Sequence, residues 1–484
     1  MWSVDTKKLE ERGAWIWTSL SDHTLPIAKP TCRPQSNYWT VDMGNKASSS
    51  HRSATLMPED DGSFLLVFEE GRLTRKQVLQ ALRSMQHVQR MTAVPEAATQ
   101  SLFTYKIEIS ACVLESEAVN LLINSILIDL SPQWTLKSAQ VALKEYDERQ
   151  PLLRVNARQQ NLLLSHVLQA MARYHTNMEV LSYSTTSRYT DPSGKALSHL
   201  LHKYHATLKQ VGICTPSRRI SDHFMVHLTR GLGIEDCSST LQFLTLHSSQ
   251  LTDHEFHELV LPALQKHTSL EALDLSRNPG LSAASLIPLT SLVQQEGALN
   301  LKALYLNHTN VLNDCQFSTE LTPFMEALES NRTLVSLRLH STGMDDVALE
   351  MLFARVLVRN TTLKRLDVSQ NMNLTLDAVD LLIKAVPHWK GLSQLHFGSL
   401  LQATTTRVAW NKDLQATRLC QGAFQNTSMV DWQLELDNEW DWDHVLAFLA
   451  ETTTCPNHAR RCHNIICTLA ACSGSFPYSS NQEL

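Results

Sequence analysis

The chain lacks several features at once, and each absence removes a class of function. Basic residues do not outnumber acids: the formal net charge is −6 over 484 residues, and no run of Lys or Arg forms a cluster. A protein held to nucleic acid through backbone phosphates needs a basic face, so nucleic acid is not an expected partner. No stretch approaches about 18 consecutive apolar residues, and none is expected to span a membrane. The apolar run Leu121 to Leu130 is broken by Asn124, Ser125 and Asp129. The opening MWSVDTKKLEERGAWIWTSL carries early charges and no apolar core, so it does not read as a secretory signal. Ten scattered cysteines are then expected as reduced thiols. Cytoplasmic placement follows, with cytoskeletal, ciliary or nuclear placement as variants.

Catalytic signatures are missing too. No G-x-S-x-G or H-E-x-x-H occurs, and Gly194-Lys195 lacks the upstream glycine of a phosphate-binding loop. The expectation is a protein that is not an enzyme and uses no cofactor. Two segments could hide a metal. Near the end, Cys455, His458, Cys462, His463, Cys467 and Cys472 crowd together, but without the C-x-x-C pair of a zinc site. An apolar helix from Ile465 to Ala471 that happens to contain cysteines is the plainer reading. The segment Glu435 to His444 places Asp437, Glu439, Asp441 and Asp443 in alternation, but no glycine marks a calcium loop. No metal site is assigned to either.

What the chain does contain is a repeated phrase, L-x-x-L-x-L followed by a helical stretch. It stands at Leu241/Leu244/Leu246, Leu270/Leu273/Leu275, Leu301/Leu304/Leu306, Leu334/Leu337/Leu339, Leu363/Leu366/Val368 and Leu392/Leu395/Phe397. The starts are 29, 31, 33, 29 and 29 residues apart. A period in this range marks a solenoid, whose long ordered surface mostly binds other macromolecules.

One unit explains the pattern. In the repeat from Leu334, Leu337 and Leu339 alternate with Arg338, as a strand buried on one face requires. His340, Ser341 and Thr342 then match the place of Asn278 and Asn371, where a polar side chain can bond backbone groups freed at the strand end. Asp345 and Asp346 precede a helix whose inward stripe is read as Val347, Met351, Leu352, Val356 and Leu357. Asn331 and Asn360 close the helices before the next leucine, and are read as left-handed caps rather than sugar acceptors, although both lie in N-x-T or N-x-S-type sequons with Asn307, Asn373 and Asn426.

This strand–turn–helix unit with its N-x-T-L junction resembles the ribonuclease-inhibitor-type leucine-rich repeat. The resemblance covers Leu241 to Phe397. It implies an α/β fold: a leucine-rich-repeat solenoid, or horseshoe, with parallel strands on the concave face and helices on the convex face. Weaker copies extend it upstream at Leu208/Val211/Ile213, Met178/Leu181/Tyr183, Leu136/Ala139/Val141 and Leu102/Tyr105/Ile107. The resulting division is 1–60, a loosely ordered arm bearing Trp2, Trp15, Trp17 and Trp39; 61–235, a cap and degenerate repeats; 236–398, regular repeats; 399–450, an irregular segment and C-terminal cap; and 451–484, a Cys-rich tail.

The expected function is a non-catalytic scaffold that grips another protein through the outward strand positions. Those are Phe243, Thr245 and His247; Glu271 and Asp274; Lys302, Tyr305 and Asn307; Arg338 and His340; Lys364, Arg365 and Asp367; Gln394 and His396. Two alternatives carry the same fold. Activators of the Ran GTPase share the repeat type but end in a strongly acidic tail, whereas here Glu451 and Glu483 face Arg460 and Arg461. Inhibitors of the ribonuclease-inhibitor type are more acidic and richer in cysteine. Membership of a larger cytoskeletal or ciliary assembly is compatible with an uneven array.

Overall fold

The computed structural model describes residues 54–68, 72–92, 103–111, 113–143, 156–186, 190–216, 223–233, 239–294, 300–314, 319–375, 377–398, 426 and 431–435. The expected tryptophan-bearing arm through 53, the Cys/His tail, the acidic segment beyond Glu435 and the cap helix lie outside these residues. The backbone separates into two compact units, 1–185 and 186–484.

In the first unit, strands β1 (Ala54–Pro58) and β2 (Phe64–Phe68) form an antiparallel hairpin. The hairpin begins inside the span read as a loose arm. Strands β4 (Phe103–Ala111), β6 (Trp134–Leu143) and β7 (Val180–Thr185) then follow β2 in parallel. The short β3 (Arg72–Leu73) and β5 (Val113–Leu114) pair separately. Helices Arg75–Met91 and Ala157–Tyr174 connect these strands. Thr74 starts the first of them with a reciprocal capping box to Gln77. The core is aromatic: Trp134 stacks on Phe103 with centroids 4.7 Å apart and meets Tyr105 edge-on. The weak upstream phrases are thus genuine strands, lengthened to 9 and 10 residues in β4 and β6.

The second unit holds the regular array. Strands β8 (Gln210–Cys214), β9 (Phe243–Thr245), β10 (Ala272–Asp274), β11 (Ala303–Tyr305), β12 (Ser336–Arg338), β13 (Arg365–Asp367), β14 (Gln394–Gly398) and β15 (Asp431–Glu435) pair in chain order, all parallel. The register sets Leu244, Leu273, Leu304, Leu337, Leu366 and Leu395 side by side. All six are buried, as are their partners two residues on. Neighbouring helices, such as Leu286–Val293 against Leu321–Ser330, form the second layer. Together these features make a leucine-rich-repeat solenoid.

Polar ladders tie rung to rung. The Asn278 side chain accepts from Ser249 N (2.9 Å) and Leu251 N (3.1 Å) and donates to the carbonyls of Leu246 and Leu275 (both 2.8 Å). Asn371 does the same for Thr342, Met344, Leu339 and Val368. Both are fully buried, and each bond satisfies a backbone group that the short strands leave open. Where the position is Thr309 or Thr342, only the carbonyl three residues back is served.

A second ladder runs through the helix–strand junctions. His267, Asn331, Asn360, Trp389 and Asn426 each donate a side-chain N–H to a carbonyl of the preceding repeat: Leu232 (2.9 Å), Val293 (2.7 Å), Leu328 (2.7 Å), Phe353 (3.0 Å) and Val386 (2.6 Å). This corrects the expected left-handed caps. Asn331 and Asn360 have extended backbones (φ −62° and −79°), and it is their amides that close the junction. Burial to 3% exposure with the amide occupied leaves neither available to a sugar.

The helical stripe also needs correction. Val347 is 46% exposed, and the inward residues are Ala348, Leu349, Leu352, Phe353, Val356 and Leu357. The buried positions recur in steps of four, Ala348/Leu352/Val356 and Leu349/Phe353/Leu357, through a π-helical segment at Met351–Val356, and this phase leaves Val347 outside the stripe. Further π segments lie at Leu122–Asp129 and Phe256–Val260.

Candidate functional site: the strand face of the regular repeats

Strand alternation sends the residues between the leucines to the opposite side of the sheet. The register stacks them in columns. One column runs Phe243, Ala272, Ala303, Ser336, Arg365 and Gln394. The next runs Thr245, Asp274, Tyr305, Arg338, Asp367 and His396. His247, Asn307 and His340 follow at the strand ends, while Glu271, Lys302 and Lys364 precede the strands. All the expected contact residues therefore fall on or beside one face, but they are not equivalent.

Several are occupied by each other. Lys302 Nζ donates to Glu271 Oε1 at 2.6 Å, and Lys364 Nζ bonds the carbonyls of Thr361 (2.9 Å) and Gly391 (3.0 Å). The Arg338 guanidinium lies over the Tyr305 ring, 4.8 Å from its centroid. Phe243 is only 9% exposed and serves packing more than contact. Ser336 in that column is buried, and its Oγ has no hydrogen-bond partner among the described residues.

Around Asp367 the groups form a chain. Ser369 Oγ donates to Asp367 Oδ1 at 2.7 Å, His340 Nδ1 lies 2.7 Å from Ser369 Oγ, and His396 Nδ1 sits 3.4 Å from Asp367 Oδ1. Burial would raise the Asp367 carboxyl, but the His396 and Ser369 hydrogen bonds prevail and hold it at about 2. Asp274 goes the other way: burial pushes it up against the opposing pull of Ser276 and Arg338. Burial, and then the charges of Arg277 and His308, press His247 down to about 3.

Arg277 and His308 escape a reading based on alternation alone. They occupy the second position after the last leucine, where Ser248, Arg277, His308, Ser341 and Gln370 all adopt left-handed backbone with φ between 49° and 56°. Each donates its N–H to the next strand, for example Arg277 to Asn307 O (2.7 Å) and His308 to His340 O (2.8 Å). A β-carbon in this region costs about 1 kcal/mol relative to glycine. The recurring turn is a property of the fold, but no leucine spacing announces it. His308 meets His340 edge-on, with centroids 4.7 Å apart.

Among the described residues no cluster of His, Cys, Asp and Glu could hold a metal ion, and no helix is long and apolar enough to cross a membrane. No family profile and no curated protein matches the chain. Among solved structures it is similar to the yeast Rad7–Elc1 complex at 17% identity and a TM-score of 0.41, over 70% of this chain and 73% of that one. A likeness at that score carries no argument about function, and the fold stands on its own register and ladders.

Proposed function

We propose that this protein is a non-catalytic interaction scaffold whose strand face over 236–398 binds another protein, and that its units are of the ribonuclease-inhibitor subtype. The observation that carries the reading is a division of labour along each strand. The leucines are wholly consumed by the core, whereas the residues between them vary from rung to rung in charge, size and aromaticity. A surface needed only for solubility has no use for the rigid Arg338–Tyr305 pair at its centre; Arg and Tyr are the side chains that most often anchor interfaces. Cytoplasmic or nuclear placement belongs to the same proposal. The occupied amides of Asn331, Asn360 and Asn426 support it, because three sequons are unusable once the chain is folded.

The test is binding by the full chain and its Arg338→Glu variant. Loss of a protein partner without loss of melting temperature supports the scaffold; undiminished binding opposes it. A GTPase panel checks the other reading, and no acceleration of hydrolysis is expected.

A further inference from the structure

The charges of the strand face are almost all neutralised or held within it. Glu271 pairs with Lys302, Asp367 with His396 and Ser369, Arg338 lies on Tyr305, and Lys364 is tied to two carbonyls. Arg277 is the exception. It is exposed, and its guanidinium has no hydrogen bond or ion pair among the described residues. On the adjacent rung, His308 is exposed and neither ring nitrogen is hydrogen-bonded within the described residues. Asn307, next to it, accepts from His340 N through Oδ1 (3.2 Å), and its amide N–H groups have no partner among the described residues. Donors without acceptors thus meet along one edge of the face.

The backbone accentuates this. A left-handed position is where glycine or asparagine fits with least strain. At φ 56° and 54° the chain instead carries Arg277 and His308, at a turn that Ser248, Ser341 and Gln370 adopt on other rungs with shorter or uncharged side chains.

Resting on the reading of this face as a protein-binding surface, we propose that the rim formed by Arg277, Asn307 and His308 takes carboxylate side chains from an acidic segment of the partner protein. The guanidinium offers a planar fork matched to a carboxylate, and the amide and imidazole supply further N–H donors beside it. The nearby Asp367 limits the negative charge that can enter, since it already acts on His308. A singly charged carboxylate is tolerated there better than a doubly charged phosphate.

Selection of random displayed peptides on the full chain tests this. The expected winners are rich in Asp and Glu, and their affinity, read by fluorescence anisotropy, drops at least tenfold in Arg277→Gln and partly recovers in Arg277→Lys. Melting temperature should not change, since the Arg277 N–H and its bond to Asn307 survive. Winners lost in Arg338→Glu but neither acidic nor sensitive to Arg277→Gln overturn this inference and leave the scaffold standing. Winners that ignore both substitutions overturn both. Displacement of the acidic peptide by equimolar inorganic phosphate also overturns it, in favour of a phosphate site.

Discussion

Replacing Asn371 with alanine isolates what the turn ladder contributes. The side chain is fully buried, accepts from Thr342 N (2.8 Å) and Met344 N (3.1 Å), and donates to Leu339 O and Val368 O (both 2.9 Å). Alanine removes both sides of the exchange. Leu339 O keeps the Thr342 hydroxyl (2.9 Å), so three backbone groups lose this partner with no replacement at hand. Each unsatisfied buried group costs about 1–3 kcal/mol, giving roughly 3–5 kcal/mol once partial relaxation and water entry are allowed. Asn371→Asp keeps the acceptor but turns a carboxylate onto two carbonyls, and should be no better. The control is Asn373→Ala, an exposed residue whose amide donates to Gly343 O and Asn313 Oδ1; it should cost under about 0.5 kcal/mol. Because repeats can open locally, the assay is hydrogen exchange read amide by amide. Thr342 and Met344 should lose most protection, and the first unit little. If Asn371→Ala opens those amides by less than about 1 kcal/mol, the ladder is ornamental and the reasoning fails.

Other outcomes follow from the same geometry. Leu337→Asp should unfold neighbouring rungs, since it buries an unpaired charge between Leu304 and Leu366, whereas Arg338→Glu should leave the melting temperature nearly unchanged; the reverse ranking would invert the assignment of faces. Trp389→Phe should cost about 1 kcal/mol by removing the indole N–H donated to Phe353 O, measured by chemical denaturation. His247, held near 3 against an ordinary 6.5, binds its proton only in the unfolded chain between those values, so stability should fall as pH drops from about 6.5, by about 2 kcal/mol at pH 5. His247→Gln should flatten that slope. Asp367 is depressed to about 2, so its contribution is present above pH 4 and fades between about 4 and 2; Asp367→Asn should remove that acid limb.

The leucine phrase made the second unit legible because a single chemical demand, an aliphatic residue facing the core, recurs at fixed spacing. The junction ladder was hidden for the opposite reason. His267, Asn331, Asn360, Trp389 and Asn426 share only a side-chain N–H at one height, and no residue identity unites them. In the helix after Asp345, Val347 and Ala348 are both apolar, so spacing alone does not set the phase; the buried stripe starts at Ala348 and leaves Val347 exposed. In the first unit the strands lengthen and leucine positions are filled by Tyr105, Ala139 and Tyr183, so the phrase fades where the architecture does not. On the strand face, alternation shows neither the internal pairings that hold Lys302 and Lys364 nor the turn that presents Arg277.

On the proposed function, the strand face over 236–398 and not the helical layer holds the partner. The direct measurement compares partner affinity for the full chain, for Arg338→Glu on the strand face and for Val347→Glu on the exposed helix surface. At least a tenfold loss is expected for Arg338→Glu, with Val347→Glu unchanged. Loss in Val347→Glu with Arg338→Glu unaffected would contradict it.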